Sequence, residues 1–161
     1  MKVGFGFDVH KMTKGRKFIL GGIEIQHSKG AEGHSDADVL IHAICDALLG
    51  AANLGDIGFH FPDSSNEFKD IDSKLLLKRV CLLLAENKFS IGNIDSTICL
   101  EQPKIAVHIP AMKKVLAKVM NIEENKISIK ATTNEKIGFI GREEGISCYA
   151  VVLINSENQN I

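Results

Sequence analysis

Several features that mark particular classes of protein are missing from this 161-residue sequence. Its 19 basic and 20 acidic residues give a formal net charge of -1, which excludes a strong overall attraction to nucleic acid or anionic membrane. No apolar run approaches the roughly 18 residues that a membrane span needs. The first residues enter a strand pattern directly, so no signal or transit peptide is expected. No internal repeat, linker or low-complexity segment is present, so we expect one domain.

The cysteines form no C-x-x-C pair, and each lies in an apolar stretch. This spacing favours buried free thiols in a reducing compartment over a zinc knuckle or a disulfide framework. A disulfide between one buried pair remains the alternative. The cysteines are Cys45, Cys81, Cys99 and Cys148.

Strict alternation over residues 3–10 predicts an opening strand. Large apolar residues occupy the odd positions, and glycine, aspartate or histidine occupies the even ones. We expect the odd face to point into the core. The residues of that face are Val3, Phe5, Phe7 and Val9.

Hydrophobic periodicity predicts the remaining elements. Strands are expected at 17–20, 23–25, 94–100, 127–132 and 146–154, the last being central or covered on both faces because it is apolar on both. Helices are expected at about 35–53, 71–88 and 105–120, the first opened by a capping box of Ser35 and Asp38. Segments 26–33 and 56–70 are predicted loops, and 155–161 a polar tail. This order favours an α+β fold, a two-layer sandwich with helices on one face of a mixed sheet of the four-stranded type.

Asp8 and His10 on the opening strand, with His42 in the first helix, form a candidate metal site. Two strand residues at positions i and i+2 lie on the same face, about 6 to 7 Å from each other along the strand. Their side chains can therefore converge on one ion. Two imidazoles and one carboxylate are a common ligand set for catalytic zinc, with a fourth position open for water or substrate. In the alternative, His42 packs beside Asp38 and Asp8 caps a turn.

Two further segments carry groups that suit a phosphorylated, hydroxylated ligand. Segment 33–38 offers helix N-terminal amides, His34 and Ser35 to an anion, although an ordinary helix cap would have the same sequence. Segment 56–65 combines acidic, apolar and glycine residues, which suits a diol, although a structured surface loop would look similar.

A last segment, 131–145, offers threonine hydroxyls and turn amides for phosphate. Glu135 could hold a hard cation such as Mg²⁺, and Arg142 could pair with phosphate. The spacing G-x-x-x-x-G-K-[ST] is absent, which excludes a Walker A loop. Together the segments indicate a phosphorylated, hydroxylated substrate handled with two metal ions.

The sequence resembles a known family over about residues 2–154, in order and in register. The segments that carry the resemblance are GxGFDVH (4–10), HSDADV (34–39), DALLGAAxLGDIG (46–58), FPD (61–63), QPK (102–104), HIP (108–110) and KATTNEKxGFxGRxEG (130–145). They are similar to those of the 2-C-methyl-D-erythritol 2,4-cyclodiphosphate synthases. The resemblance implies a single catalytic domain over 1–154, and 155–161 has no role assigned by it.

The resemblance also implies the activity and the partners. The enzyme would be a phosphorus–oxygen lyase of non-mevalonate isoprenoid biosynthesis that cyclises 4-diphosphocytidyl-2-C-methyl-D-erythritol 2-phosphate and releases CMP. It would be a homotrimer with active sites between subunits, without nucleic-acid or membrane partners. It would lie in the cytoplasm, or in a plastid-type organelle if a transit peptide had been removed.

Site residues follow from the resemblance by position. Asp8, His10 and His42 would bind Zn²⁺, and Glu135 would bind Mg²⁺ or Mn²⁺ with the substrate diphosphate. His34 and Thr133 would stabilise the transition state. The implied substrate-binding set is Asp8, Val9, His10, His34, Ser35, Asp56, Ile57, Gly58, Phe61, Pro62, Asp63, Ser64, Ser65, Leu100, Glu101, Gln102, Pro103, Lys104, Ile105, Ala106, Thr132, Thr133, Asn134, Glu135, Phe139 and Arg142.

Within that set, the resemblance assigns Asp56 and Gly58 to the ribose and residues 100–106 to the cytosine. Phe139 and Arg142 would line the neighbouring phosphate region or a central cavity. Two other functions remain open: a hydrolase in which metal-bound water attacks the phosphate, and a non-catalytic nucleotide-binding or scaffold protein.

Overall fold

The chain forms a mixed sheet with helices on one face. A computed structural model describes residues 1–62 and 64–156. Within them the strands are β1 (Lys2–Lys14), β2 (Phe18–Leu20), β3 (Ile23–Ile25), β4 (Lys29–Glu32), β5 (Phe89–Cys99), β6 (Ile127–Thr132) and β7 (Gly145–Ser156). The α-helices are α1 (Val39–Ala52), α2 (Ile57–His60), α3 (Ser73–Glu86), α4 (Ile109–Met120) and α5 (Gly138–Gly141). Short 3₁₀ turns cover Asn66–Phe68, Ala106–His108 and Glu124–Lys126.

The main sheet of the described residues has five strands in the order β4-β1-β7-β5-β6. Strands β5 and β6 are parallel, and the other neighbours are antiparallel. The α+β class and the central position of β7 are confirmed. The four-stranded type is corrected, because β4 pairs with β1 from Lys11↔Glu32 to Lys14↔Lys29 inside the predicted loop 26–33. Strands β2 and β3 form a separate hairpin.

The buried face of β1 is the opposite of the predicted one. Gly4 and Gly6 lie under α1, where an added Cβ would be 1.9 Å from the carbonyl oxygen of Ala47 and 2.0 Å from that of Ala43. The absence of a side chain therefore allows the helix backbone to contact the strand. The side chains of the odd face are 42% to 68% exposed in the single chain: Val3, Phe5, Phe7 and Val9.

Helix α1 begins directly after its N-cap, Asp38, and not at the predicted capping box of Ser35. The buried Asp38 carboxylate accepts a hydrogen bond from the amide of Ile41 at 3.1 Å. It also accepts from the amides of Gly21 at 3.0 Å and Gly22 at 2.6 Å, in the turn between β2 and β3. One carboxylate thus caps the helix and fixes the hairpin against it.

Several other boundaries differ modestly from prediction. Helix α3 lies inside the predicted 71–88, and Pro110 occupies the first turn of α4. Strand β5 begins at Phe89, and β7 extends through Ser156 into the predicted tail. The other tail residues, 157–161, and Asp63 lie outside the described residues. No helix in the described part of the chain is both long and apolar enough to span a bilayer.

The cysteines are free thiols, as predicted, and the alternative disulfide is not formed. Cys45 and Cys148 are buried, whereas Cys81 and Cys99 are partly buried. Burial raises the pKa of Cys45 and Cys148 well above the ordinary value, and it raises that of Cys81 to about 12. These three thiols therefore stay protonated near neutral pH.

Candidate metal and phosphate site

Asp8, His10 and His42 converge as the sequence predicts. Asp8 Oδ2 lies 2.9 Å from His10 Nε2 and 3.0 Å from His42 Nδ1. The two ring nitrogens are 3.2 Å apart. Strand β1 supplies the first two side chains, and the first turn of α1 supplies the third. Among the described residues these three form a cluster able to hold a metal ion.

Hydrogen bonding around the cluster fits a bound cation. His10 Nδ1 lies 3.1 Å from the carbonyl oxygen of Glu32, which can only accept a hydrogen bond. The Nδ1 atom of His10 therefore carries the proton, and its Nε2 lone pair points toward Asp8 and His42. Lone pairs and a carboxylate at this separation repel unless a proton or metal ion lies among them. One oxygen and two imidazole nitrogens are donors that Zn²⁺ accepts.

The protein shifts the pKa values of Asp8 and His42 in opposite directions. Burial raises the pKa of Asp8, but hydrogen bonds and charge from His10 and His42 outweigh it and hold that pKa well below its usual range. Burial lowers the pKa of His42, but the hydrogen bond and charge of Asp8 raise it above the ordinary value overall. The site therefore favours a carboxylate beside a positive charge.

The cluster lies in a cavity of about 340 Å³. Its predicted lining residues are Asp8, His10, His34, Ser35, His42, Ile57, Gly58 and Phe61. Gly33, in the predicted anion segment 33–38, also lines the cavity, and sequence reasoning missed three others: Phe68, Ile71 and Leu76. Apolar residues are common in any loop or helix, so only the folded chain assigns these three side chains to the cavity, Leu76 from α3 and the other two from the segment before it.

The candidate anion donors lie outside α1. His34 and Ser35 are in the turn before the helix, and His34 Nε2 is 3.2 Å from the carbonyl oxygen of Ser65. Since Asp38 occupies the helix cap, the helix itself matches the ordinary-cap alternative. The two side chains remain available at the cavity wall.

The segment after α1 places apolar groups over the cavity. Asp56 is the N-cap of α2, and its carboxylate accepts from the amide of Phe59 at 2.8 Å. The amide of Ile57 donates to Asp46 at 2.8 Å. Pro62, Ser64 and Ser65 follow the helix, and Val9 lies between Asp8 and His10 on β1; none of these four lines the cavity.

A second, smaller cavity of about 160 Å³ lies where β5 and β6 end. Residues of the predicted cytosine segment meet the predicted phosphate threonines there. The lining residues are Leu100, Pro103, Lys104, Ile105, Ala106, Ala131, Thr132 and Thr133. Ala131 is the one that the predicted set lacks. Glu101 and Gln102 lie in the same segment but do not line the cavity.

The turn after β6 holds the remaining predicted residues. The hydroxyl of Thr133 donates to Glu135 Oε1 at 3.0 Å, and the amide of Asn134 donates to Glu101 Oε2 at 3.2 Å. Glu135 is exposed and is not a member of the Asp8–His10–His42 cluster. Phe139 lies in α5.

Arg142 follows α5 and is exposed. Its guanidinium pairs with the Glu144 carboxylate at 3.0 and 2.9 Å.

The predicted residues that line a cavity therefore fall into two separate cavities of one chain, and the others lie outside both linings. A larger open groove of about 820 Å³ lies beside the end of α4, lined by residues such as Lys114, Lys118 and Glu124. It contains none of the predicted site residues, so its size does not make it the functional site.

This fold and this cluster define an α+β domain with a candidate metal-centred enzyme site. The family model described as "YgbB family" matches residues 1–155, so the chain belongs to the YgbB family and is an enzyme of that family.

Curated relatives match over nearly their whole length. The 2-C-methyl-D-erythritol 2,4-cyclodiphosphate synthase of Bacteroides fragilis is 65% identical over 155 residues, covering 96% of this chain and 98% of the relative. The synthase of the same name from Chlorobium phaeobacteroides is 57% identical over 159 residues, covering 99% and 100%.

Solved structures share the fold. A Plasmodium falciparum IspF in complex with CDP has a TM-score of 0.86 at 34% identity, covering 98% of this chain and 97% of that one. The bifunctional IspDF from Campylobacter jejuni has a TM-score of 0.94 at 40% identity. The match covers 98% of this chain but only 42% of the bifunctional protein.

Proposed function

We propose that the chain is a lyase that converts 4-diphosphocytidyl-2-C-methyl-D-erythritol 2-phosphate into 2-C-methyl-D-erythritol 2,4-cyclodiphosphate and CMP. The 2-phosphate attacks the β-phosphorus of the same molecule. The observation that carries the proposal is the Asp8–His10–His42 cluster in a cavity, in a chain of the YgbB family. Cyclodiphosphate synthases of isoprenoid biosynthesis are the relatives it matches.

The reaction brings two anionic groups together, so the site must neutralise charge. Two unit charges about 4 Å apart repel by roughly 1 kcal/mol in water and about 4 kcal/mol at an effective dielectric constant of 20. Several such pairs form when the substrate folds back. Asp8, His10 and His42 would hold Zn²⁺ and Glu135 would hold Mg²⁺ or Mn²⁺; these ions supply positive charge to the phosphates.

The protein's own contribution is to orient the substrate and donate hydrogen bonds. His34, Ser35 and Thr133 would donate to phosphate oxygens, and His34 and Thr133 would stabilise the developing charge. Folding the substrate back converts the reaction into an intramolecular step, which can supply up to roughly 7 to 11 kcal/mol. No protein nucleophile is required, and the raised pKa values of Cys45, Cys81 and Cys148 agree with this.

The active site is proposed to form between subunits of a homotrimer. The metal cluster and the 100–106 segment line different cavities of one chain, which supports a site completed when a neighbouring copy brings its 100–106 segment to the cluster. Residues 100–106 would hold cytosine, while Asp56 and Gly58 hold the ribose. The CDP complex of the Plasmodium relative supports a cytidine nucleotide as the ligand class.

Two features support the assembly and its setting. The exposed apolar face of β1 offers a surface for contact with other copies. Phe139 and Arg142 would then lie near the neighbouring phosphate region or a central cavity. The free thiols agree with a reducing cytoplasm as the place of action.

Phosphorus NMR of the products tests this function. With the diphosphocytidyl substrate and divalent metal, we expect cyclic diphosphate and CMP in equal amounts. Linear diphosphate or inorganic phosphate would indicate the hydrolase and contradict the proposal. His42→Ala should abolish turnover while the trimer persists, and unchanged turnover would contradict the zinc assignment. If the wild-type protein binds CDP but shows no turnover, the non-catalytic nucleotide-binding or scaffold function is indicated instead.

A further inference from the structure

Two polar residues behind His42 have no role in the function described so far. Ser73, the first residue of α3, is fully buried, and its hydroxyl oxygen lies 2.9 Å from His42 Nε2. Nε2 is the ring nitrogen that faces away from Asp8 and His10. The Ser73 hydroxyl also contacts Asp36, in the turn before α1, through a short hydrogen bond.

The donors around Asp36 determine where the Ser73 proton points. The Asp36 carboxylate accepts from the Ser73 amide at 3.0 Å, from the Asp38 amide at 3.2 Å and from the Ser73 hydroxyl. A carboxylate only accepts, so the single hydroxyl proton of Ser73 is directed to Asp36. Toward His42 the hydroxyl oxygen can then only accept.

This arrangement has a direct consequence for the His42 ring. If Ser73 accepts, Nε2 of His42 must carry a proton, and the neutral ring keeps its lone pair on Nδ1. Nδ1 is the atom that lies 3.0 Å from Asp8 and 3.2 Å from His10 Nε2. Without such an acceptor, the Asp8 carboxylate would itself favour a proton on Nδ1, and that tautomer cannot bind a metal ion through Nδ1.

We propose that Asp36 and Ser73 are positioning residues that hold His42 in its metal-binding tautomer. This inference rests on the proposed function, because it concerns the same metal centre. Neither residue touches the metal position: Ser73 acts through Nε2, and Asp36 acts through Ser73. The Glu32 carbonyl does the same for His10. Outer partners of this kind commonly affect metal affinity by about 10- to 100-fold.

The hydrogen bonds from His42 to Ser73 and from Ser73 to Asp36 also bear on the role of Ser35. Its hydroxyl oxygen lies 3.1 Å from His42 Nε2 and accepts from the amide of Ala37 at 3.1 Å. The Ala37 amide leaves the direction of the Ser35 proton open, so Ser35 alone does not fix the tautomer of His42; with Nε2 donating to Ser73, Ser35 need not donate to the ring. Its own proton is free to donate to an anion in the cavity.

The test measures zinc affinity by competition with a chromophoric chelator. Ser73→Ala and Asp36→Asn should each weaken zinc binding by about 10- to 100-fold. Asp36→Asn is the sharper variant, because it leaves the volume unchanged and does not touch His42. Its single oxygen cannot accept from every donor that the two carboxylate oxygens satisfy, because Oδ2 accepts from the Ser73 amide and Oδ1 accepts from the Asp38 amide and the Ser73 hydroxyl. When the NH₂ group takes the Oδ1 position, the Ser73 proton turns toward Nε2.

A matched control separates positioning from general loss of stability. Ser96 is also buried, and its hydroxyl donates to the Ser128 carbonyl at 3.0 Å, between β5 and β6. Ser96→Ala should lower the unfolding temperature without changing zinc affinity.

Proton–nitrogen NMR of zinc-loaded protein with ¹⁵N-histidine gives a second readout. In the wild type, His42 Nε2–H should exchange slowly with water, as should His10 Nδ1–H. Both variants should accelerate exchange at His42 alone, and equal exchange in all proteins would overturn the inference. So would zinc affinities within about twofold of wild type, or an effect of Ser73→Ala without one of Asp36→Asn. Failure of the wild type to bind zinc would overturn the proposed metal centre together with this inference.

Discussion

Asp38 joins the first turn of α1 to the β2–β3 hairpin near the site. Its carboxylate receives three backbone amides, from Gly21, Gly22 and Ile41. Burial, and then the charge of Asp36, raise its pKa despite these hydrogen bonds. The three donors nevertheless require an acceptor at both oxygens.

Asp38→Asn should therefore destabilise the protein, because its NH₂ group would face at least one buried amide donor. A loss of about 1 to 3 kcal/mol is expected, measured by urea unfolding. Asp72→Asn is the matched control, since Asp72 caps α3 at a partly exposed position and asparagine is an equally good N-cap. Equal effects of the two substitutions would contradict this account of Asp38.

The Asp8–His42 pair gives a pH dependence with a definite sign. The lowered pKa of Asp8 contributes stability that is present above pH 3.8 and lost as the pH falls through the lowered value. The raised pKa of His42 contributes stability that is fully present below pH 6.5 and lost as the pH rises through the raised value. In the metal-free protein the contribution of the pair is therefore largest between those limits.

Zinc should reverse the trend above pH 6.5, because a bound metal ion replaces the His42 proton. The rise in unfolding temperature on adding zinc should grow from about pH 6 to about pH 8. Thermal unfolding of metal-free and zinc-loaded protein across this range measures it. A zinc-induced rise that shrinks with increasing pH would be inconsistent with this assignment.

At the scale of elements, the contact between β1 and α1 positions two of the metal ligands relative to the third. Gly6 permits this contact, since a Cβ there would lie 2.0 Å from the Ala43 carbonyl oxygen. Gly6→Ala should cost roughly 1 to 3 kcal/mol or more in stability and displace His42 from Asp8. The free energy of unfolding, measured by chemical denaturation, and the affinity for zinc should both decrease.

Gly50 provides the control within the same helix. It is exposed on α1 and an added Cβ there has no neighbour within 4 Å. Gly50→Ala should stabilise the protein by up to about 1 kcal/mol, because alanine favours the helix. Tolerance of Gly6→Ala comparable to that of Gly50→Ala would refute the close-contact explanation.

The same contact shows what the sequence could predict. Alternation along β1 revealed the strand and put Asp8 and His10 on one face, because side-chain direction is a local property. The choice of buried face failed, because large apolar residues normally point inward and glycines rarely mark the core side. Strand β4 was missed for a related reason: its four residues, KGAE, carry too little hydrophobic pattern to indicate a strand.

At the scale of the whole molecule, the exposed odd face of β1 is continuous with exposed residues of β7. The rings of Phe5 and Phe7 lie 6.4 and 5.0 Å from that of Tyr149. The helices cover the other face of the sheet. The sequence predicted both the Asp8–His10–His42 cluster and the 100–106 segment as parts of the site. It could not show that they line separate cavities of one chain, because that depends on the folded arrangement.

Phe7→Glu should break the proposed trimer, because it places a charge in the middle of this apolar face. The molar mass measured by light scattering after size-exclusion chromatography should be that of three chains for the wild type and that of one chain for the variant. Leu82→Glu, at a 55% exposed position on α3, should keep the wild-type mass. A wild-type protein with the mass of one chain would contradict the trimer itself.

The central claim is that one ion held by Asp8, His10 and His42 faces a bound diphosphate. The most direct measurement is anomalous diffraction at the zinc edge from a crystal grown with zinc and CDP. We expect one strong peak in contact with Asp8 Oδ2, His10 Nε2 and His42 Nδ1, next to the diphosphate, with cytosine against residues 100–106 of a neighbouring copy. Zinc at other side chains, or CDP bound with no anomalous peak at this cluster, would contradict the account.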